Sequence, residues 1–299
     1  MRPEAKARRK YWVLELEKLS GSFGDHTARM FAELQAEIQK DGVAALLDHL
    51  RVCGAMPERY GHDSSEEKQY SKYTDAVISE AFAYIGLNSV VISARADVAD
   101  VHARGRTFSL VADAKAFRLS RTAKNQKDFK VQAMDGWRGE SDYAVVVCPI
   151  YQLPSRTSQI YQQAIARNVC VLSYAHIAAL VAFSTAKPKA AAEDGLLSIL
   201  KSVATLHPTK NANDYWVGIN RALIEVLGSK SNLWTTEKSE SLEGLMLVKE
   251  ESLAYLRSES NRLLGLTHRQ ALDELLRATG LASRIVHVEQ IEHGILLGV

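Results

Sequence analysis

Apolar residues recur at three- and four-residue intervals through the first sixty positions. Tyr11-Trp-Val-Leu-Glu-Leu-Glu-Lys-Leu19 and Ala28-Arg-Met-Phe-Ala-Glu-Leu-Gln-Ala-Glu-Ile38 predict two amphipathic helices, and Gly42–Leu50 a short third. They carry no chemistry of their own and read as a helical layer or a dimer arm. The stretch 61–73, GHDSSEEKQYSKY, is polar and turn-rich and reads as a connection, with His62-Asp63 solvated and not a metal pair. Thr74 then predicts an N-cap for a helix over Asp75–Ile85, with Asp75, Ile78, Phe82 and Ile85 on one stripe. An acid on an apolar stripe has two readings: a second cap, or a side chain leaning toward an active site. Glu80 lies off the stripe.

The period then changes. Ser89–Ser93 is a β-type run, and Phe108–Phe117 is a strand preceded by a turn around Arg104-Gly-Arg-Thr107, which predicts a hairpin. Residues 118–138 hold a basic segment, then Phe129, Ala133 and Trp137 at helical spacing, as in a loop entering a crossover helix. Asp142–Ile150 and Asn168–Ser173 are apolar runs of the kind that form strands buried on both faces. Ser158–Arg167 and His176–Phe183 are helical. The order hairpin, helix, strand, helix, strand predicts an α/β (α+β) core, a mixed sheet flanked by helices. Residues 184–214 read as a linker with one short helix, Asp194–Leu206. Helices follow at Val217–Leu227, Leu242–Leu264 and Thr267–Thr279, with Thr267 as cap, and Ile285–Val299 reads as a last strand. This divides the chain into a helical region 1–60, a core 61–185 and a mainly helical region 186–299.

Composition narrows the function. With 299 residues, 46% of them hydrophobic, a sizeable core is expected. A net charge of only +2 excludes action through a diffuse basic field, so a DNA binder of this charge must concentrate its cations locally. The three cysteines, Cys53, Cys148 and Cys170, show no metal-ligand spacing, and Cys148 and Cys170 fall in apolar strands as small core residues. The chain shows no leader-like segment and no bilayer-length apolar run, so a cytoplasmic location is expected. Gly42, Gly54 and Gly61 form no phosphate-binding loop. The nine histidines form no HxH, HExxH or HNH-like group, and no serine sits in a nucleophile elbow.

The candidate chemistry lies between Val98 and Lys130. Asp113 and Lys115, two apart on a strand, share a face with Val111. A hairpin brings Asp100 beside Asp113, with Asp97 as a second candidate for the first acid. Two carboxylates suit a hard divalent cation, which assists phosphodiester hydrolysis at the nucleophile, the phosphoryl oxygens and the leaving group. Lys115 faces the same space and can orient or deprotonate the attacking water. Lys115, Arg118, Arg121, Lys124, Lys127 and Lys130 recur every third residue. That pattern fits a solvated face, and it also fits a track under a duplex. Arg118, Arg121 and Lys124 suit phosphate contacts. Asn125 and Lys127 have the donors and acceptors for adenine and guanine edges, and Ala123 can touch a thymine methyl.

Acid, strand-length gap, then Asp-x-Lys resembles the PD-(D/E)xK nuclease signature. The block Leu110–Lys130 closely resembles the heart of the HindIII-like type II restriction endonucleases of that superfamily. Gln69-Tyr-Ser-Lys-Tyr-Thr-Asp75, Trp137-Arg138, Asp142-Tyr-Ala-Val145 and Ser158-Gln-Ile160 resemble them in the same order, as does, more loosely, Arg269–Leu276. The resemblance implies a restriction-endonuclease-like core acting on double-stranded DNA with Mg2+, for which Mn2+ can substitute. It implies metal ligation by Asp100, Asp113 and the Ala114 carbonyl, and a place in the active site for Asp128, an acid that sequence alone explains as favourable to a helix N-terminus. Arg118 to Lys130 implies the palindrome A^AGCTT, cut to leave 5′-phosphates by a homodimer, beside a companion methyltransferase. Whether Lys115 is base or positioner stays open. A structure-specific repair or junction nuclease of the same fold, and a sequence-specific DNA-binding protein without catalysis, are the rival readings.

Overall fold

The computed structural model of the chain describes residues 2–18, 22–92, 99–121 and 126–290. Five strands, β1 (Asn88–Val91), β2 (Val101–Arg104), β3 (Ser109–Ala114), β4 (Tyr143–Cys148) and β5 (Val169–Ser173), make one sheet in chain order. β1, β2 and β3 pair antiparallel, and β3, β4 and β5 pair parallel. The mixed pairing follows from the connections: a tight turn joins β2 to β3, whereas helical crossovers separate the last three strands. Every residue of β5, and all but the first of β4, is buried, as their unbroken apolar runs require.

Helices close both faces. α4 (Ser65–Ile85) packs across β1, β2 and β3. α7 (Tyr174–Ala186) and α8 (Lys189–Val203) pack against β5 and against α4. α5 (Val131–Trp137) packs on β3, β4 and β5, and α6 (Gln159–Ala166) on β5. The N-terminal layer, α1 (Pro3–Glu15), α2 (Phe23–Asp41) and α3 (Val43–Val52), packs against itself, with α2 and α3 also on α4. One apolar cluster runs from Trp12 and Leu34 through Phe82 into the strands. α9 (Ala212–Leu227) packs on α8, and α10 (Asn232–Leu264) is a 33-residue helix. α11 (His268–Thr279) and α12 (Leu281–Glu289) pack on each other. The chain forms two units, Met1–Ser252 and Leu253–Val299.

Three expectations are corrected. The polar stretch 61–73 is helix from Ser65 on: the Ser64 hydroxyl accepts the Glu67 N–H at 3.2 Å, so Ser64 is the cap. Thr74 lies inside the helix, its hydroxyl donating to the Ser71 carbonyl at 2.7 Å. The helix was hidden because Ser65 and Lys68 face solvent while Gln69, Tyr70 and Tyr73 turn inward, a face that apolar spacing alone does not score. Residues 184–214 are not a linker, since α7 extends to Ala186 and α8 begins at Lys189, burying Ala192, Leu196, Ile199 and Leu200. Ile285–Glu289 belongs to α12 and not to a strand, and 291–299 lie outside the described residues.

Candidate active site

The hairpin register places the acids. Val101 pairs with Ala112, and one step further Asp100 stands opposite Asp113, so the two side chains leave the same face. The ladder continues through Asp100, whose carbonyl accepts the Ile92 N–H at 2.8 Å. Asp113 is 2% exposed. Lys115 follows on the same face, and its Nζ lies 2.5 Å from Asp113 Oδ2. The Lys115 N–H donates to the Val147 carbonyl of β4 at 2.8 Å. Across a trans peptide the preceding carbonyl points the opposite way, so the Ala114 oxygen is directed toward the β2 side, where Asp100 sits. Tyr174, at the start of α7, fixes the next peptide by donating to the Lys115 carbonyl at 2.9 Å.

α4 closes the cluster from above. Lys72 and Asp75, three apart, lie on the same side of the helix, where Lys72 Nζ reaches Asp75 Oδ2 at 3.5 Å and Asp100 Oδ1 at 2.7 Å. Asp75 is 2% exposed. Burial pushes its carboxyl well above the usual range, and the charges of Asp100 and Asp113 push the same way. Burial disfavours the Lys72 charge, yet Asp75 and Asp100 outweigh it and hold the ammonium above the ordinary lysine value. Three carboxylates thus share a pocket with two lysines. Two opposed acids and a backbone oxygen form a hard donor set that fits a magnesium-class cation. Lys72 belongs to this cluster although only Asp75 of its helix was singled out in the sequence. The clue was the i, i+3 spacing inside Gln69–Asp75.

The remaining candidates lie along the segment after β3. Asp128, in a 3₁₀ turn over Gln126–Phe129, pairs with Arg121 at 2.6 Å, and the Arg121 guanidinium lies 4.8 Å from the Phe117 ring centroid. Arg118 is turned inward, donating to the Tyr60 and Gly61 carbonyls at 2.8 and 2.9 Å and pairing with Glu67 at 3.3 Å. Lys127 and Lys130 are exposed, and Lys130, with φ +49°, caps α5 with its Nζ 4.9 Å from the Trp137 ring centroid. Ala123, Lys124 and Asn125, and the second acid candidate Asp97, lie outside the described residues.

Two residues that sequence reasoning passed over hold this segment. Glu58 accepts the Ser120 N–H at 2.9 Å and its hydroxyl at 2.6 Å, and buried Gln152 donates to the Arg121 carbonyl at 2.9 Å. Nothing in local sequence marks them, because their partners are 62 and 31 residues away. His62, Asp63 and Glu67 bring ligand atoms within 4.8 Å of one another, but both His62 and Asp63 are exposed, and Glu67 is engaged with Arg118.

Opposed acids on a hairpin, a lysine two residues on and a mixed sheet closed by helices make a nuclease of the restriction-endonuclease fold. The comparisons specify which. The family model for HindIII restriction endonuclease matches residues 9–292. The type II restriction enzyme HindIII of Haemophilus influenzae is 31% identical over 290 residues, covering 94% of this chain and 96% of that enzyme. The chain belongs to the HindIII restriction endonuclease family, and is a type II restriction endonuclease, a hydrolase acting on double-stranded DNA. No described helix is long and apolar enough to cross a membrane.

Proposed function

We propose that the protein cuts both strands of the palindrome A^AGCTT, as a homodimer with one site per strand, in a Mg2+-dependent reaction that leaves 5′-phosphates. The observation that carries the reading is the pairing of Asp100 with Asp113 beside the Ala114 carbonyl and Lys115. Asp100, Asp113 and the Ala114 oxygen would hold Mg2+, or Mn2+ in its place, which when bound would supply positive charge at the phosphoryl oxygens and lower the pKa of a water. Lys115, anchored through its own carbonyl by Tyr174, holds the attacking water and faces the developing charge. Lys72 balances Asp75 and Asp100 until the cation arrives. Asp128 fixes Arg121 beside the strand exit, where the arginine can meet a phosphate. Lys127, with Asn125 and Ala123, reads bases, and Lys124 and Lys130 follow the backbone. Arg118 acts by bracing this segment against Tyr60 and Gly61.

The test is a plasmid digest with Mg2+ followed by sequencing of the fragment ends. Every end at AAGCTT is the expected result. Discrete ends at another site would keep the enzyme class and remove Asn125 and Lys127 as readers of that palindrome. Cutting confined to branched DNA would replace the proposal with a junction nuclease.

A further inference from the structure

We infer that the cavity enclosed by the ends of β4 and β5, α9 and the first half of α10 is a binding site for a planar aromatic acid, separate from the acids of the hairpin.

The cavity has a volume of about 510 Å³, within the roughly 300–1,000 Å³ that small-molecule sites span. Its lining runs from Leu50 to Val248 and so belongs to the first unit alone. Pro149, Tyr151 and Tyr174 come from the ends of β4 and β5, and Trp216, Trp234 and Leu245 from α9 and α10. α10 spans the space without filling it, because two contacts with α3 fix its height. Arg51 pairs with Glu237 at 2.7 Å. At Gly244 the two helices approach so closely that a Cβ would stand 2.9 Å from the Arg51 carbonyl. Ser241 lies between these two points and faces the cavity.

The polar groups of the lining select the occupant. His176 sits against the tryptophans, its ring centroid 5.6 Å from Trp216 and 4.8 Å from Trp234. Both of its nitrogens are engaged: Nδ1 accepts the Ser173 N–H at 3.2 Å, and Nε2 lies 3.0 Å from Asn220 Oδ1. Arg51 is engaged as well, by Glu237 and, at 3.3 Å, by Glu240. Ser241 and Lys238 stand apart. The Ser241 Oγ is buried and forms no hydrogen bond with any described residue, which costs stability unless a partner inside the cavity meets it. Lys238 is exposed, with its Nζ 5.6 Å from the Trp234 ring centroid. No acid among the described residues pairs with it. Lys238 and Ser241, three apart on α10, share one side of the helix. A flat ring system against the tryptophan and tyrosine faces, with one negative group between Lys238 and the Ser241 hydroxyl, matches this lining. A polyphosphate or a duplex would need more cations than Lys238 and the engaged Arg51.

The probe is 2-naphthoate, a planar bicyclic carboxylate, titrated into the full-length protein by isothermal calorimetry, with its neutral methyl ester for comparison. One site per chain with a Kd of about 1 mM or lower is expected, the ester binding about fivefold more weakly. Lys238→Gln should weaken the acid about fivefold and leave the ester within about twofold. Ser241→Phe places a ring in the cavity and should abolish both, with circular dichroism confirming retained helix content. Absence of binding by calorimetry and by quenching of tryptophan fluorescence overturns the inference. So does an ester that binds as tightly as the acid, a Lys238→Gln protein that binds the acid as the wild type does or loses acid and ester equally, and a folded Ser241→Phe protein that still binds. Should Ser241→Phe lose helix content, the Lys238→Gln comparison decides alone. Cleavage is not among these readouts, so the plasmid digest stands or falls separately.

Discussion

Replacing Lys72 with Met tests the electrostatic reading of the site from both sides. The ammonium lies 2.7 Å from Asp100 and 3.5 Å from Asp75. At an effective dielectric near 20, contacts of that length are each worth roughly 5 kcal/mol before desolvation is subtracted. Lys72 and Asp100 keep 23% and 27% of their side-chain surface exposed while Asp75 is buried. The net loss therefore falls between the 0–1 kcal/mol of an exposed pair and the 3–5 kcal/mol of removing one partner from a buried one, at about 2 kcal/mol. For a unit of this size that lowers Tm by about 4–8 °C in EDTA. A divalent cation bound between Asp100 and Asp113 meets the opposite effect, because Lys72 repels it and occupies an Asp100 oxygen. Lys72→Met should bind Ca2+, a hard and catalytically poor probe, about tenfold more tightly. Calorimetric melts in EDTA and Ca2+ titration by isothermal calorimetry read the two effects separately. An unchanged Tm in EDTA together with unchanged or weaker Ca2+ binding would refute the account, since Lys72 would then neither balance the acids nor compete with the cation.

Lys115→Ala is expected to slow cleavage by roughly 10²–10⁴-fold while gel retention of the cognate duplex stays within a few-fold; equal loss of both would make Lys115 a binding residue. Gly54→Ala places a methyl 2.7 Å from the Tyr174 ring and 2.9 Å from Pro149. It should cost about 1–3 kcal/mol in urea unfolding and reduce the cleavage rate as well, because the same tyrosine holds the Lys115 carbonyl. Arg9→Met removes a buried guanidinium that donates to Tyr70, to the Ala55 carbonyl at 2.8 Å and to Glu251; about 3–5 kcal/mol of stability should be lost, and a change below 1 kcal/mol would contradict the packing. Burial holds the His176 imidazole down at about 4, against 6.5 unfolded, partly offset by its bond to Asn220. Its contribution to stability is therefore full above pH 6.5 and is lost as pH falls toward 4. His176→Gln should flatten the urea-midpoint profile across that window.

What was legible in the sequence, and what was not, divides by the range of the contacts involved. Asp113 and Lys115 were readable because a strand fixes which neighbours share a face within two residues. Asp100 was readable one level up, through the turn that sets the register with β2. β4, β5 and α6 came from unbroken apolar runs and a serine cap that act locally. α4 was lost over its first ten residues because its inward face is built from Gln69, Tyr70 and Tyr73 and not from aliphatic residues. Gln69 is buried with its Oε1 accepting from Thr27, and Tyr70 is buried against Arg9, so polar composition there marked interior and not surface.

Contacts of long range also support the hairpin that carries the candidate acids. Residues 54–60 run beside the segment leaving β3: the Phe117 N–H donates to the Gly54 carbonyl at 3.0 Å, the Met56 N–H donates to the Phe117 carbonyl at 3.2 Å, and Tyr151 donates to both carbonyls, at 2.8 Å to Gly54 and 2.5 Å to Phe117. Arg9 of α1 holds residues 54–60 through the neighbouring Ala55 carbonyl. The first helices, which look inert in sequence, are therefore the backing of the loop that follows β3. The proposed site would aim a lysine and two acids at one phosphate and would need such backing, because a misplacement of about 1 Å can cost about 10²-fold in rate. On this argument Arg9→Met should depress cleavage even at temperatures where the protein stays folded. Single-turnover kinetics at 15 °C would show it, and an unchanged rate would mean that the hairpin holds its geometry without the N-terminal layer.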